Sequence, residues 1–328
     1  MQLFIDSYGA YLGVKDEMFW VKPQHSTPQL VAVPKVKCIF LTRGVSVSTN
    51  AMRMAIENSI PMLLLDAIGK PIGQVWSGQF GSIATIRRNQ AFFAESNKGI
   101  DWIKKIIEAK VLNQIQLLKY YEKEQKSINP YLLDLEIEYE KLRRKVIDFT
   151  LPKSEIKATL RGLEGFSGKC YFKALNFVLP KNWQFPTRST RPAKDMFNCI
   201  LNYMYGMLYS FVELSLMKAG VDPYVGVLHA DQHRKPAMVF DIIECYRIYV
   251  DEACIALAQH ELLSEQDFQR LDGGGMWLGN SGKPIVIQYF SKFLEAPVRG
   301  KKEKHKRTTQ IDLDSFALAT ILKKYNHE

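Results

Sequence analysis

The run Ile100-Asp-Trp-Ile-Lys-Lys-Ile-Ile-Glu-Ala-Lys-Val-Leu-Asn-Gln-Ile-Gln-Leu-Leu-Lys-Tyr-Tyr-Glu-Lys-Glu-Gln125 decides the fold class of most of this chain. Its apolar residues recur at helical spacing among Lys and Glu, which predicts one long amphipathic helix. The same texture begins near Ser82 and continues through Ile83 to Ser96, Leu132 to Phe149 and Lys153 to Val178, leaving little room for strands. Ile128-Asn-Pro130 and Leu151-Pro152 mark breaks. Pro180 to Pro192 is a longer connection rich in basic and aromatic residues, among them Lys181, Trp183, Phe185, Arg188 and Arg191. Helix is predicted again from Ala193 to Lys218, then to about His260, over Glu265 to Leu271, over Lys283 to Leu294, and from about Asp312 to Lys324.

Upstream the period changes to short β-type runs: Gln2 to Ile5, Ala10 to Val14, Met18 to Lys22, Leu30 to Val33 and Val36 to Leu41. Turn chemistry separates them at Asp6-Ser7-Tyr8-Gly9, Lys15-Asp16-Glu17 and Pro23. Ser48-Thr49-Asn50 offers an N-cap for a helix from Ala51 to about Asn58. Strands follow at Pro61 to Leu65 and Ile72 to Trp76, with a turn at Asp66 to Gly69. The fold class is therefore α+β: a small strand-rich N-terminal domain over residues 1–80, then a larger all-α domain over residues 81–328.

With 47% hydrophobic and 12% aromatic residues in 328, the chain can build real cores, which excludes wholesale disorder. Its five cysteines, Cys38, Cys170, Cys199, Cys245 and Cys254, are odd in number and show no C-x-x-C spacing, as in a reduced cytoplasmic protein. No export signal or membrane-spanning stretch is evident. Net charge is +10, and residues 1–80 hold only seven Lys/Arg against five Asp/Glu, so most of the surplus lies beyond them. A basic second domain points to a polyanion, most simply nucleic acid.

Candidate chemistry gathers in Gly226-Val-Leu-His-Ala-Asp-Gln-His-Arg-Lys-Pro-Ala-Met-Val-Phe-Asp-Ile-Ile-Glu-Cys-Tyr-Arg247. An apolar run delivers His229 into a polar loop, and Pro236 stands where a helix can begin. On that helix Asp241, Glu244 and Arg247 fall three apart and share a face. Neighbouring carboxylates repel, which a metal or a cation would relieve; the other reading is a solvated helix face with weak ion pairs. His229 and His233 lack the Glu of a zinc H-E-x-x-H motif. In Arg161-Gly-Leu-Glu-Gly-Phe-Ser-Gly-Lys-Cys-Tyr-Phe172, Gly162, Gly165 and Gly168 each cost a helix about 1 kcal/mol relative to Ala. A bare face for a close backbone would explain them, and plain helix packing is the favoured reason. The run Arg299 to Arg307 has six basic residues against one acidic, and reads as a loop able to meet phosphates or as a solvated linker.

Taken in order, Arg161-Gly-Leu-Glu-Gly165 with Tyr171-Phe172, Arg188-Ser-Thr-Arg-Pro192, Asp195 with Asn198 and Leu201-Asn-Tyr203, Gly220-Val-Asp-Pro-Tyr-Val-Gly-Val-Leu-His229, and Asp241-Ile-Ile-Glu-Cys-Tyr-Arg247 resemble the CRISPR-associated adaptation integrase, a metal-dependent nuclease that inserts new spacers. Tyr8-Gly9, Leu63 to Leu65 and Thr42 to Ala51 are similar to the N-terminal part of that family. The likeness spans nearly the whole chain, except the basic loop and the last helix. One departure is the loop His229 to Lys235, which carries His233 and Arg234 where many members are shorter.

The resemblance implies a catalytic helical domain, an obligate homodimer, and a small ferredoxin-like adaptation partner protein. It places the metal ligands and catalytic residues on Glu164, His229 and Glu244, with Asp241 beside them, for Mg²⁺ or Mn²⁺. It implies attack by the 3′-hydroxyls of double-stranded prespacer DNA on CRISPR repeat DNA at the leader–repeat boundary. Arg88, Arg161, Lys169, Arg188, Arg191, Lys235 and Arg247 are the candidates for DNA contact. Two alternatives are a non-catalytic DNA-binding scaffold and a mobile-element integrase of the same fold.

Overall fold

A computed structural model describes residues 1–66, 71–75, 84–123, 128–144, 153–229, 235–298 and 305–326. The N-terminal strands form two four-stranded sheets. One has the order β1-β5-β7-β8, with β1 (Gln2–Ile5), β5 (Cys38–Leu41) and β7 (Met62–Leu65) parallel and β8 (Pro71–Val75) antiparallel. The other is β4-β3-β2-β6, from β2 (Tyr11–Lys15), β3 (Met18–Lys22), β4 (Gln29–Ala32) and the short β6 (Ser46–Val47). Asp16 and Glu17 turn the β2–β3 hairpin with φ of 50° and 55°, the positive values that a two-residue turn of this hand needs. Helix α1 (Thr49–Glu57) starts where Ser48 accepts a hydrogen bond from the Ala51 amide.

Alternation along β5 divides the molecule. Ile39 and Leu41 face a core with Met62 and the α1 residues Ala51 and Ala55. Cys38 and Phe40 face the opposite way, with Leu63 and Leu65, into the core of the helical half. Phe40 stacks on Phe4 at 4.3 Å and meets Phe211 edge-on at 5.2 Å.

Phe211 lies on α6 (Met196–Lys218), which is buried nearly all round and so forms the axis of the helical half. About it stand α2 (Ala84–Ala94), α3 (Asn97–Glu122), α4 (Asn129–Leu142), α5 (Lys153–Asn176), α7 (Ala237–Ile242), α8 (Arg247–Gln259), α9 (Gly282–Glu295) and α10 (Arg307–Lys323). No described helix is long and apolar enough to cross a membrane.

Three expectations are corrected. Glu265 to Leu271 is not a helix: a single 3-10 turn, Glu265–Asp267, leads into a hairpin of β9 (Phe268–Arg270) and β10 (Met276–Leu278). Gly273 and Gly274 adopt φ of 103° and 83° there, a conformation that reverses the chain before a helix can extend. Asp241 and Glu244 do not share one continuous helix, because α7 tightens into a 3-10 turn at Ile243–Cys245 before α8 begins. The last helix starts at Arg307, whose guanidinium is buried over Phe293 at 3.8 Å, and Lys306 pairs with Glu295 at 2.6 Å. Those two residues of the basic run therefore belong to the packed structure, while 299–304 lie outside the described residues.

Candidate active site

Three elements meet at a charged centre. α3 contributes Lys110, α5 contributes Glu164, and the 3-10 turn contributes Glu244. The Lys110 ammonium lies 2.5 Å from Glu164 Oε1 and 2.5 Å from Glu244 Oε2. Glu244 Oε1 accepts from Arg247 Nε at 2.7 Å. Burial works to raise the Glu244 carboxyl, but Arg247 and Lys110 overcome it and hold it at about 2. Burial likewise works against charge on Lys110, and the two glutamates still keep its pKa above the ordinary value. Asn113, on α3, donates to the Cys245 carbonyl at 3.2 Å and so holds the turn in place. Arg247 also donates to Tyr209 Oη at 3.0 Å and lies 4.8 Å over the Tyr205 ring.

Glu244 Oε2 is buried, with the Lys110 ammonium 2.5 Å away as its counter-charge. Two carboxylates gathered on one positive charge have the charge and donor chemistry that suit a divalent cation. The Lys110 ammonium stands where that charge would be.

His229 is organised separately. The buried Asp241 carboxylate accepts from the amides of Val227 at 2.5 Å, Leu228 at 3.0 Å and His229 at 3.0 Å, and faces His229 Nδ1 at 2.7 Å. A ring nitrogen facing a carboxylate carries the proton, which leaves the lone pair on Nε2. Gly226 makes this fit possible, since a Cβ there would come within 2.8 Å of the Ala237 backbone. Arg161 Nη2 donates to the Leu228 carbonyl at 2.6 Å and thereby ties the His229 loop to α5, one turn from Glu164. Among the described residues, no three of His, Cys, Asp and Glu gather closely enough to hold a metal ion. The structure thus joins Glu164 to Glu244 through Lys110, and joins His229 to Asp241.

From the charged centre a cavity of about 810 Å³ runs along α5. Lys110, Gln114, Glu164, Gly165, Gly168, Lys169, Phe172, Arg188 and Arg247 are among its lining. A Cβ at Gly162, Gly165 or Gly168 would meet nothing within 4 Å, so helix packing is not the reason for these glycines. Arg188 donates to the Ser189 carbonyl at 2.5 Å and to Asn198 Oδ1 at 2.9 Å. Asp195 caps α6, and Asn198 and Asn202 pin the carbonyls of 187, 189 and 190. The Asp195-Asn198-Asn202 spacing is therefore a one-sided clamp on the basic connection. Arg191 lines a separate cavity beside Trp277, while Arg88 and Lys235 are exposed. His233 and Arg234 lie outside the described residues.

Sequence reasoning missed Lys110, Asn113, Gln114 and Tyr209. A signal existed for the first: Lys110 falls between Ile107 and Val111 on the buried stripe of α3, where a lysine requires anionic partners.

A sequence model of the family described as CRISPR associated protein Cas1 matches residues 3–292. A relative from Archaeoglobus fulgidus, named CRISPR-associated endonuclease Cas1 1, is 27% identical over 286 residues, covering 82% of this chain and 81% of its own. A solved casposase bound to integration product superposes with a TM-score of 0.85 at 23% identity, over 100% of this chain and 92% of that one. A chain of a Cas6-RT-Cas1–Cas2 complex gives a TM-score of 0.80 at 19% identity, over 98% of this chain and 35% of that one. With the family's pattern matched over residues 3–292 of 328, this chain belongs to the Cas1 family of CRISPR-associated proteins.

Proposed function

We propose that this chain is a metal-dependent DNA integrase and endonuclease of CRISPR adaptation, which joins the 3′-hydroxyls of prespacer DNA to CRISPR repeat DNA at the leader–repeat boundary. The observation that carries this reading is the pair Glu164 and Glu244 gathered on a cationic centre at the head of a groove lined by Lys169 and Arg188.

The residues that would hold Mg²⁺ or Mn²⁺ are Glu164, Glu244 and the Nε2 of His229, with Asp241 fixing the imidazole's tautomer and direction. When bound, the ion stabilises charge on the attacking and leaving oxygens of the phosphodiester. Arg247 keeps Glu244 ionised and in place. Lys169 and Arg188 neutralise substrate phosphates, a role extended to the exposed Arg88, Arg191 and Lys235. Arg161 and Arg247 act instead through the Leu228 carbonyl and Glu244. In the reaction the 3′-oxygen forms a new P–O bond as the repeat strand's own P–O bond breaks, so the number of phosphodiesters is conserved. The attacking hydroxyl's proton goes to solvent and the displaced strand leaves with a 3′-hydroxyl.

The reading includes a homodimer, a small ferredoxin-like partner protein, and the division into residues 1–80 and 81–328. The known casposase with its integration product and the Cas1–Cas2 assembly support DNA and a second protein as partners.

Strand transfer tests it. Purified protein, its partner protein, a short duplex with 3′-hydroxyls and a plasmid carrying leader and repeat should give joined products at the repeat edges in Mn²⁺. Glu164→Gln and His229→Ala should each lower the rate by about 100-fold or more, the loss of several kcal/mol of charge stabilisation. Folded variants that join at the normal rate would refute the ligand set. Tight DNA binding by the parent protein, without joining or cleavage, would favour a scaffold.

A further inference from the structure

Two arginines of the site share one aromatic ring. Arg188 Cζ lies 5.7 Å from the centre of the Tyr205 ring and Arg247 Cζ lies 4.8 Å from it, and all three residues line the groove. Like charges on one ring repel each other, which sets a limit on what the ring alone can hold. Arg247 has its own counter-charge in Glu244, at 2.7 Å. Arg188 does not: its hydrogen bonds go to the neutral Ser189 carbonyl and Asn198 Oδ1, and among the described residues no carboxylate pairs with it.

A buried anion is tied to that ring. Asp251, on α8, is 1% exposed and has no part in the joining chemistry itself. Its carboxylate accepts from Tyr205 Oη at 2.7 Å and from Tyr171 Oη at 2.8 Å. The first bond fixes the ring that both guanidiniums meet. The second fixes α5 next to Phe172, whose ring centre lies 5.8 Å from Arg188 Cζ. Arg188 thus contacts two rings whose places depend on one carboxylate. A phenol that donates to a carboxylate is polarised by it, which strengthens the hold of its ring face on a cation. The charge of Asp251 also acts across the ring: burial draws the Arg188 guanidinium below its ordinary pKa and Arg247 adds to this, while Tyr205 and Asp251 oppose them.

We propose that Asp251 is a positioning residue for DNA joining: through Tyr205 it holds Arg188 in place beside Arg247, with the Arg188 guanidinium set to meet a phosphate. The inference rests on the DNA-joining reading above and deepens it. Asp251 itself touches no substrate. Removing its charge leaves Arg247 on Glu244 but releases Arg188, so the deficit falls on one phosphate contact and not on the whole site.

A double-mutant cycle on DNA affinity isolates that contact, read by fluorescence anisotropy of the full chain with a short duplex in EDTA. Asp251→Asn, which keeps the shape and removes the charge, should weaken binding about tenfold and lower the salt slope by about 0.9, the share of one phosphate. In an Arg188→Ala background the same substitution should change neither quantity. In a Lys169→Ala background it should keep its full effect, because Lys169 makes no contact with Asp251 or Tyr205. Tyr205→Phe, which keeps the ring and cuts its link to Asp251, should reproduce the pattern of Asp251→Asn. A protein that is merely less stable would lose affinity alike in all three backgrounds; that result, or a parent-like salt slope in both variants, would overturn the proposal. If the parent protein joins DNA in Mn²⁺ while the cycle is additive, the DNA-joining reading stands and this inference alone falls. If the parent protein binds no duplex, both fall.

Discussion

An ammonium 2.5 Å from two glutamates makes Lys110 a structural counter-charge as well as a feature of the site. Lys110 and Glu244 are 8% and 2% exposed, so the pair is screened little by solvent. Breaking a buried pair by removing one partner costs about 3–5 kcal/mol, because the other charge stays behind. Lys110→Met should therefore lower Tm clearly in EDTA, and Mn²⁺ should restore part of the loss by supplying the missing charge. Calorimetry with and without Mn²⁺ reads both effects, and an unchanged metal-free Tm would remove Lys110 from this role. This contact was not legible in the sequence, since α3 and the turn at Glu244 lie far apart along the chain. His229 and Glu244 stood out by residue type and spacing, but a solvated face with ordinary ion pairs was the more usual reading of that pattern, and it was the likeness that joined them with Glu164 as one ligand set.

At the scale of elements, helix existence was legible and its purpose often was not. The long runs around Ile100 and Lys153 are helices because their periodicity is strong and extended. The β9–β10 hairpin was hidden by its three-residue strands, too short for any period, although Gly273-Gly-Gly275 marked the turn. The Gly162-Gly165-Gly168 stripe was visible, but packing was the wrong explanation for it. With open space at Gly162, Gly162→Ala should raise stability by up to about 1 kcal/mol, seen as a higher denaturation midpoint. A lower midpoint would mean that the helix needs the glycine.

Helix α8 carries a second element-scale consequence. Asp251 accepts from Tyr171 Oη at 2.8 Å and from Tyr205 Oη at 2.7 Å, joining α8 to α5 and α6. Burial raises its carboxyl from 3.8 to about 6 despite those hydrogen bonds and two nearby arginines. Between those values the folded chain holds a proton that the unfolded chain has lost, so stability falls as pH rises. The contribution is full below about 4 and is lost once pH has risen through 6, by up to roughly 3 kcal/mol. Asp251→Asn should flatten the Tm profile between pH 4.5 and 7. A profile as steep as that of the parent protein would assign the slope elsewhere. Glu244 acts with the opposite sign and well below this window, its contribution being lost as pH falls through about 2.

For the whole molecule, the basic surplus of +10 is a statement about partners. If phosphates are its targets, the logarithm of DNA affinity should fall linearly with the logarithm of salt concentration, by about 0.9 per phosphate neutralised. A flat titration would assign the charge to solubility instead. The change of texture near residue 80 reads as a boundary between two bodies, yet β5 sends alternate side chains into both cores. Severing the chain there would strip cover from Phe40, Leu63 and Leu65 on one fragment and from Phe211 on the other. The two cores thus share the strand β5, whose Phe40 meets α6, the helix whose tyrosines brace Arg247.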